Sequence, residues 1–427
     1  MSRVSLYCAE LFLVVLATSH SLLGQDNGEL IPPSGRGAEF SAVRSDDSDS
    51  SEESSRFPWS DAKSQGVQPG ALMRLTDLIS GFVEADEIVG AELLVIKNRR
   101  TLLHSVFGFD HRGHKTPLKR NTIFSIRSMT KPLAGALAQM LIDDGELDPN
   151  APVAKYLPAF DTDVSRKITV QHLLTHRSGL PMRSAGRLWS DYGSYDSVQD
   201  LAAYWGKYGP QLFEPGEQYH YADANVDTLA AVIENVTGEN AEILIQRRLL
   251  GPLGMKDTIP LLRTGDARVK RVATKYSGGR GRWNPFWSWS GEPYFKFPMF
   301  AQGFYSTVFD YACFLSMLAD GGKVDHQRLL SQDALDRILT PVSVTTMPTG
   351  VARVNSSYGQ LMHLYEDRGQ IIAFGHSGSD GTYAWVWPGE DLIVLYFTQS
   401  RGSTTMARME AVLDSLLGRP VGANEAP

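Results

Sequence analysis

The chain has 427 residues, 42% hydrophobic and 10% aromatic, and carries a formal charge of −7. That is apolar material for a large core in one domain or two interleaved ones, with the composition of a soluble globular protein. The acidic balance and the lack of a basic stripe argue against nucleic acid as a partner.

Met1-Ser2-Arg3, the apolar run Leu11 to Ala17 and the small polar residues Thr18 to Ser21 predict a signal peptide over residues 1–24. A secreted or periplasmic protein is expected, or a membrane-tethered one if the peptide is retained, and Glu10 beside the run is atypical. No later stretch has the roughly 18 apolar residues of a membrane span. Residues 25–60 are rich in Ser, Asp, Glu, Pro and Gly and read as a disordered acidic linker, leaving 61–427 as the folded domain. Cys8 would leave with the leader, and the apolar neighbours of Cys313 predict a core thiol.

Helical spacing over 70–86 predicts an amphipathic helix. Two strand-like runs, Gly90 to Ile96 and Thr101 to Gly108, flank a short polar turn and predict a hairpin. A helix follows, opening near Ser128 and stopping at Gly145. From about 133 to 340 the chain reads as mainly helical, with candidates at 169–176, 224–236, 241–249, 308–320 and 331–339. The aromatic stretch from Trp283 to Tyr305 has no clear period and reads as a cleft wall or a buried loop. Strand-like runs return at Ile371 to Gly375, Tyr383 to Pro388 and Leu392 to Phe397, before a last helix from Thr405 to Leu417. The expected fold class is α+β: an antiparallel sheet built from both chain ends, flanked by helices, with a mainly helical insertion over about 140–340.

Ser128-Met129-Thr130-Lys131 carries the chemistry. Residues i and i+3 share a helix face, so hydroxyl and amine point the same way. Pro132 is tolerated only in a first helical turn, which puts Ser128 at the helix N-terminus or just ahead of it. Backbone N–H groups gather there, suiting a developing oxyanion. A serine hydroxyl needs a neighbouring base, and a lysine with a lowered pKa can be one. Ser60-Asp61-Ala62-Lys63 repeats the spacing but lies in a polar segment and reads as chance. His172-x-x-x-His176 has the spacing of a zinc helix without the following glutamate and reads as structural. His111 and His114 read as surface histidines in a turn. A Ser-His-Asp arrangement through His176 or His376 is the lesser alternative, because Lys131 already supplies a base.

Several further motifs follow in order: Ile168 to Leu180 (ITVQHLLTHRSGL), Phe213-Glu214-Pro215-Gly216, Tyr221-Ala222-Asp223, Pro252-Leu253-Gly254-Met255 and Gly375-His376-Ser377-Gly378. Together with Ser128-x-x-Lys131 they resemble the serine β-lactamase and penicillin-recognising superfamily on its class C side, which includes β-lactamase-fold esterases and D-amino-acid peptidases. The resemblance runs from about residue 70 to the C-terminus. It implies a β-lactamase-like fold and a Ser128 acyl-enzyme, with Lys131 holding and deprotonating the serine and Tyr221 as second base and leaving-group acid. It also implies an oxyanion hole from the backbone N–H groups of Ser128 and Ser379, with Asp223, His376, Ser377 and Gly378 lining the substrate site. No cofactor or metal is implied.

Two departures bear on substrate. Asp223 stands where the family has asparagine, and a carboxylate cannot donate as an amide does; Tyr221 to Asp227 is instead similar to the Tyr-Ser-x-x-x-Asp version of the esterase branch, with Ala222 for the serine and the aspartate one position later. His376 stands where the family's Lys-Thr-Gly has a lysine, and a histidine is largely neutral at pH 7. Both favour a neutral ester over a carboxylate-bearing β-lactam. The expected function is a serine hydrolase, foremost a carboxylesterase, acting on a small ester, amide or β-lactam. The alternatives are a β-lactamase or D-amino-acid peptidase acting on cell-wall-type substrates, and a non-catalytic binding protein that keeps the fold.

Overall fold

The computed structural model describes residues 55–182, 194–209, 211–289, 295–345, 355–367, 369–406, 408, 409 and 413. The expected signal peptide and most of the expected linker lie outside these residues. Helix α1 (Pro69–Glu84) starts on Pro69, whose fixed φ suits a first turn, and buries Ala71, Leu72, Leu75, Ile79 and Phe82 at helical spacing. Strands β1 (Gly90–Lys97) and β2 (Arg100–His111) form the expected hairpin. At its tip Asn98 and Arg99 take φ values of 50° and 58°, the doubly left-handed turn that matches strand twist.

A short 3₁₀ turn, Arg127–Met129, leads into α2 (Thr130–Asp143). Every residue of α2 from Thr130 to Leu141 is buried, so it is a core helix rather than an amphipathic one. The remaining helices are α3 (Val170–Leu174), α4 (Val198–Tyr208), α5 (Asp223–Thr237), α6 (Ala241–Ile245), α7 (Val308–Ala319) and α8 (Gln332–Leu339). Helix α3 is shorter than expected because Thr169 caps its start and His176 turns left-handed (φ 53°) beyond its end. The run expected as one helix over 241–249 becomes α6 followed by a π turn, Gln246–Leu250. Helix α4 was not expected; its apolar face is Val198, Leu201, Ala202 and Trp205, capped by Ser197.

The C-terminal half supplies β4 (Ser343–Val344), β5 (Asn355–Tyr358), β6 (His363–Asp367), β7 (Gln370–Gly378), β8 (Thr382–Trp387) and β9 (Leu392–Thr398). With β3 (Thr116–Pro117) they complete a nine-stranded sheet in the order β4-β5-β6-β7-β8-β9-β1-β2-β3. Its pairings are antiparallel, and β9 joins β1 in the register Leu94↔Leu395, so the two chain ends meet at the sheet centre. Strands β3 to β6 extend the sheet beyond the five expected strands.

Alternate residues of the central strands serve two cores. Leu94, Ile96, Val386, Leu395 and Phe397 pack with the α2 side, while Leu93, Val95, Trp385, Val394 and Tyr396 pack with α1. Phe57 to Ser60, read from sequence as linker, belong to the fold. Phe57 is buried beside Phe309, and the Ser60 N–H donates to the Thr101 carbonyl at 3.0 Å. The C-terminal helix begins at Thr405; beyond Met409 only Leu413 is described. Among the described residues no helix is long and apolar enough to cross a membrane.

Candidate active site

Ser128 lies in the turn just ahead of α2 and is half-buried. Its neighbour Arg127 has φ 46°, a left-handed conformation rare for a residue with a side chain and costing on the order of 1–3 kcal/mol. The surroundings hold it there: Arg127 Nε donates to Asp380 Oδ2 at 2.6 Å.

Lys131 is wholly buried one turn on. Its ammonium donates to Asp223 Oδ1 at 2.7 Å, the Ala301 carbonyl at 2.7 Å and Ser128 Oγ at 3.3 Å. An ammonium has three donors, and all three are used. Burial alone would lower the Lys131 pKa, but the Asp223 carboxylate and Tyr221 outweigh it and the net shift is upward. At rest the lysine is therefore a cation that holds the serine oxygen. The loop carrying Ala301 ends the aromatic stretch noted in the sequence, so that stretch contributes a backbone carbonyl to the site. Its first residues, Trp283 to Trp287, belong to the second strand of a β-hairpin, Lys275–Gly279 with Arg282–Trp287, and residues 290–294 lie outside those described.

Tyr221 and Asp223 sit at the opening of α5, where the helix N-terminus favours a carboxylate. Lys131 Nζ stands 4.6 Å from the centre of the Tyr221 ring. The Tyr221 hydroxyl is buried without a hydrogen bond of ordinary geometry. Burial pushes its pKa up, while the nearby Lys131 and Ser128 pull toward the phenolate. Asp223, expected to face substrate, is 3% exposed with its carboxylate on Lys131.

One turn further along α5, Asp227 is buried and accepts the Ala301 N–H at 3.0 Å. Burial and then the Asp223 charge push its pKa up to about 7. The Ala301 backbone, through its N–H and its carbonyl, thus links Asp227 to Lys131. The i, i+4 spacing of the two aspartates signals this in the sequence, where Asp227 entered only as a motif position.

The far side of the site is the end of β7. His376 is 3% exposed; its Nδ1 donates to the Ser377 carbonyl at 2.8 Å, and Nε2 accepts from the Tyr358 hydroxyl at 3.3 Å. A carbonyl can only accept, so Nδ1 carries a proton; with the Tyr358 hydroxyl donating to Nε2 the ring is neutral. Burial, then His363 and Lys131, hold its pKa well below the usual histidine value. Ser377 and Ser379 are exposed, and Gly378 is buried between them. The Gly378 Cα lies so close to the Ile126 carbonyl that an added Cβ would overlap it. The strand end therefore abuts the turn that carries Ser128.

The other candidate groups have other partners. The Ser60 hydroxyl pairs with Ser64 Oγ at 3.1 Å and accepts Gln65 Nε2 at 3.0 Å. His172 belongs to the Thr169 capping box. His176 Nδ1 faces the Ala222 N–H at 3.3 Å and the Asn225 amide at 3.0 Å, and its ring lies 4.6 Å from that of Tyr221. Burial holds the His176 pKa well below its usual value, so it packs the tyrosine as a neutral ring. The His111 and His114 rings meet at a tilt of 37°, centres 4.3 Å apart, beside the β2–β3 turn.

Comparison with known proteins bears on the family and the fold. The sequence model described as Beta-lactamase matches residues 75–418. An uncharacterized protein of Mycobacterium tuberculosis is 28% identical over 360 residues, covering 74% of this chain and 87% of that protein. Esterase EstB of Burkholderia gladioli is 31% identical over 220 residues, 48% of this chain and 55% of EstB. Among solved structures, EstCE1, a hydrolase with promiscuous acyltransferase activity, superposes with a TM-score of 0.69 at 20% identity, covering 81% of this chain and 98% of that one. The D-amino acid amidase of Ochrobactrum anthropi gives 0.63 at 21% identity, with 81% and 98% covered. These likenesses show the fold.

Proposed function

The chain belongs to the Beta-lactamase family, and from that premise we propose that it is a serine carboxylesterase working through an acyl-enzyme on Ser128. The observation that carries the reading is the Lys131 ammonium, locked by Asp223 and Ala301 and reaching Ser128 Oγ at 3.3 Å. A binding protein has no use for a buried cation aimed at a half-buried hydroxyl.

In the proposed reaction the substrate carbonyl carbon is attacked by Ser128 Oγ as the serine proton passes to the Tyr221 phenolate. Lys131 keeps its charge, steadies the attacking oxygen and favours the ionised tyrosine. The carbonyl oxygen becomes an oxyanion between the backbone N–H groups of Ser128 and Ser379, where each donor is worth roughly 3 kcal/mol. Tyr221 then returns the proton to the departing alcohol, and water cleaves the acyl-enzyme by the same steps in reverse order. The preference for an ester over a carboxylate-bearing β-lactam rests on His376, a buried neutral imidazole that offers no charge to a substrate carboxylate.

A burst-phase assay of the full chain tests this, using a short-chain p-nitrophenyl ester and a chromogenic cephalosporin. A burst and turnover on the ester are expected, both lost in Ser128→Ala. Fast turnover of the cephalosporin instead would move the enzyme to the lactamase or peptidase reading. A burst that survives Ser128→Ala would sink the assignment.

The pH profile should identify the base. The Tyr221 pKa is raised, so its ionised fraction grows about tenfold per pH unit throughout the range below it. Ester kcat/KM is expected to climb from pH 7 to pH 9. A histidine base would give a plateau, since His176 and His376 are held well below 6.5 and His363 lies at about 4. A flat profile above pH 7 would therefore remove Tyr221 from the role.

A further inference from the structure

Four charged side chains gather behind the proposed oxyanion hole. Asp380 has no exposed surface. Its Oδ2 accepts Arg127 Nε at 2.6 Å, and its Oδ1 accepts Arg401 Nε at 2.7 Å together with a second, shorter contact from Arg401 Nη2. Lys275 Nζ stands 3.9 Å from Oδ2, with the Trp287 ring centre 4.4 Å away. The cations outweigh burial and keep the carboxylate ionised.

The placement of this cluster matters more than its charge. Arg127 immediately precedes Ser128, and Asp380 immediately follows Ser379. Gly378 to Gly381 form a tight turn closed by the Gly381 N–H on the Gly378 carbonyl at 2.9 Å, with Gly381 at φ 107°. Ser379 and Asp380 are the two central residues of that turn. The turn tip and the nucleophile turn come from residues far apart in the chain. A buried ion pair joins them one residue away from each proposed oxyanion donor. Arg127 is also the residue held left-handed, and the pair keeps it so.

We infer that Asp380 is a positioning residue: through Arg127 it sets the spacing between the Ser128 and Ser379 N–H groups, with Arg401 fixing its second oxygen. The inference rests on the serine hydrolase reading and extends it to a residue that touches no substrate. An ionised carboxylate with two oxygens can hold two guanidinium groups at once in a fixed plane, which an amide cannot. Donor spacing governs how well the oxyanion is met but has little influence on the planar ester before attack. The clamp should therefore act on kcat and on transition-state mimics, and leave KM nearly alone.

The test compares the full-length chain with Asp380→Asn, Asp380→Glu and Arg401→Met. The readouts are burst rate, kcat and KM on a p-nitrophenyl ester, and the affinity of an alkylboronic acid as tetrahedral mimic. Asp380→Asn is expected to lose about 10–100-fold in kcat and in boronate affinity, with KM changed less than about threefold. Asp380→Glu should recover part of that loss. Folded Asp380→Asn with wild-type kcat would overturn the inference. If Asp380→Asn does not fold, Arg401→Met decides, because Arg401 is partly exposed: a fall in kcat at constant KM supports the clamp, and unchanged kcat overturns it. A wild-type chain with no burst would instead remove the hydrolase reading, and this inference with it.

Discussion

Lys131→Met should abolish acyl-enzyme formation and weaken the fold at the same time. Methionine matches the length of the lysine stem but removes the ammonium that donates to Asp223, Ala301 and Ser128. The serine oxygen loses its donor, and Tyr221 loses the cation that favours its phenolate. Proton-transfer groups contribute about 10²–10⁴-fold, so the ester burst should fall at least a thousandfold. The structural consequence has a separate origin. Asp223 is 3% exposed and would be left as a carboxylate in the interior without its cation. Breaking a buried pair from one side costs about 3–5 kcal/mol. The double variant Lys131→Met with Asp223→Asn removes both charges and should recover most of that stability while acylation stays at background. Stopped-flow burst amplitude and thermal unfolding separate the two effects. A burst within tenfold of wild type in Lys131→Met would refute the role given to the lysine.

The sequence reading went furthest where local rules act. Pro132 in a first turn and the apolar run behind it put Ser128 just ahead of α2, and the turn Arg127–Met129 lies there. The β1–β2 hairpin and the three late strands were legible from alternation and turn residues. Strands β4 to β6 were not, because they are short, their register comes from the neighbouring strands and their own residues are largely polar. The π turn after α6 replaced an expected helix end in the same way, through packing that no propensity records.

Inside the site, the residue types were legible and their partners were not. The substitution at Asp223 was visible as a change from an amide to a carboxylate, but only folding brings it to Lys131, 92 positions away. The Arg127–Asp380 pair spans 253 positions and has no signature in either local segment. Periodicity reports which face of an element is buried; it does not report which buried charges meet.

Gly378→Ala should reduce kcat by roughly a hundredfold. The glycine is needed for closeness, not for backbone freedom, since its φ is not among the positive values. A Cβ there would overlap the Ile126 carbonyl oxygen and Thr382 Oγ1. The threonine can rotate, but the carbonyl cannot retreat. It accepts the Met129 N–H at 3.0 Å and so belongs to the turn that presents Ser128. The clash is relieved either by shifting that turn or by lifting the end of β7, which leads into the turn that carries Ser379. Both routes move the proposed oxyanion donors apart. A displacement of about 1 Å in a reacting geometry costs on the order of 10² in rate, comparable to losing one oxyanion donor. The extra methyl should also destabilise the fold by about 1–3 kcal/mol, as overpacking does. Gly389→Ala is the matched control, because a Cβ at that position has no atom within 4 Å. It should leave both kcat and unfolding temperature unchanged. Steady-state kinetics on the p-nitrophenyl ester measure the difference. A kcat within threefold of wild type in folded Gly378→Ala would mean that the turn after β7 does not supply the oxyanion donor, and the site would have to be rebuilt around a different strand edge.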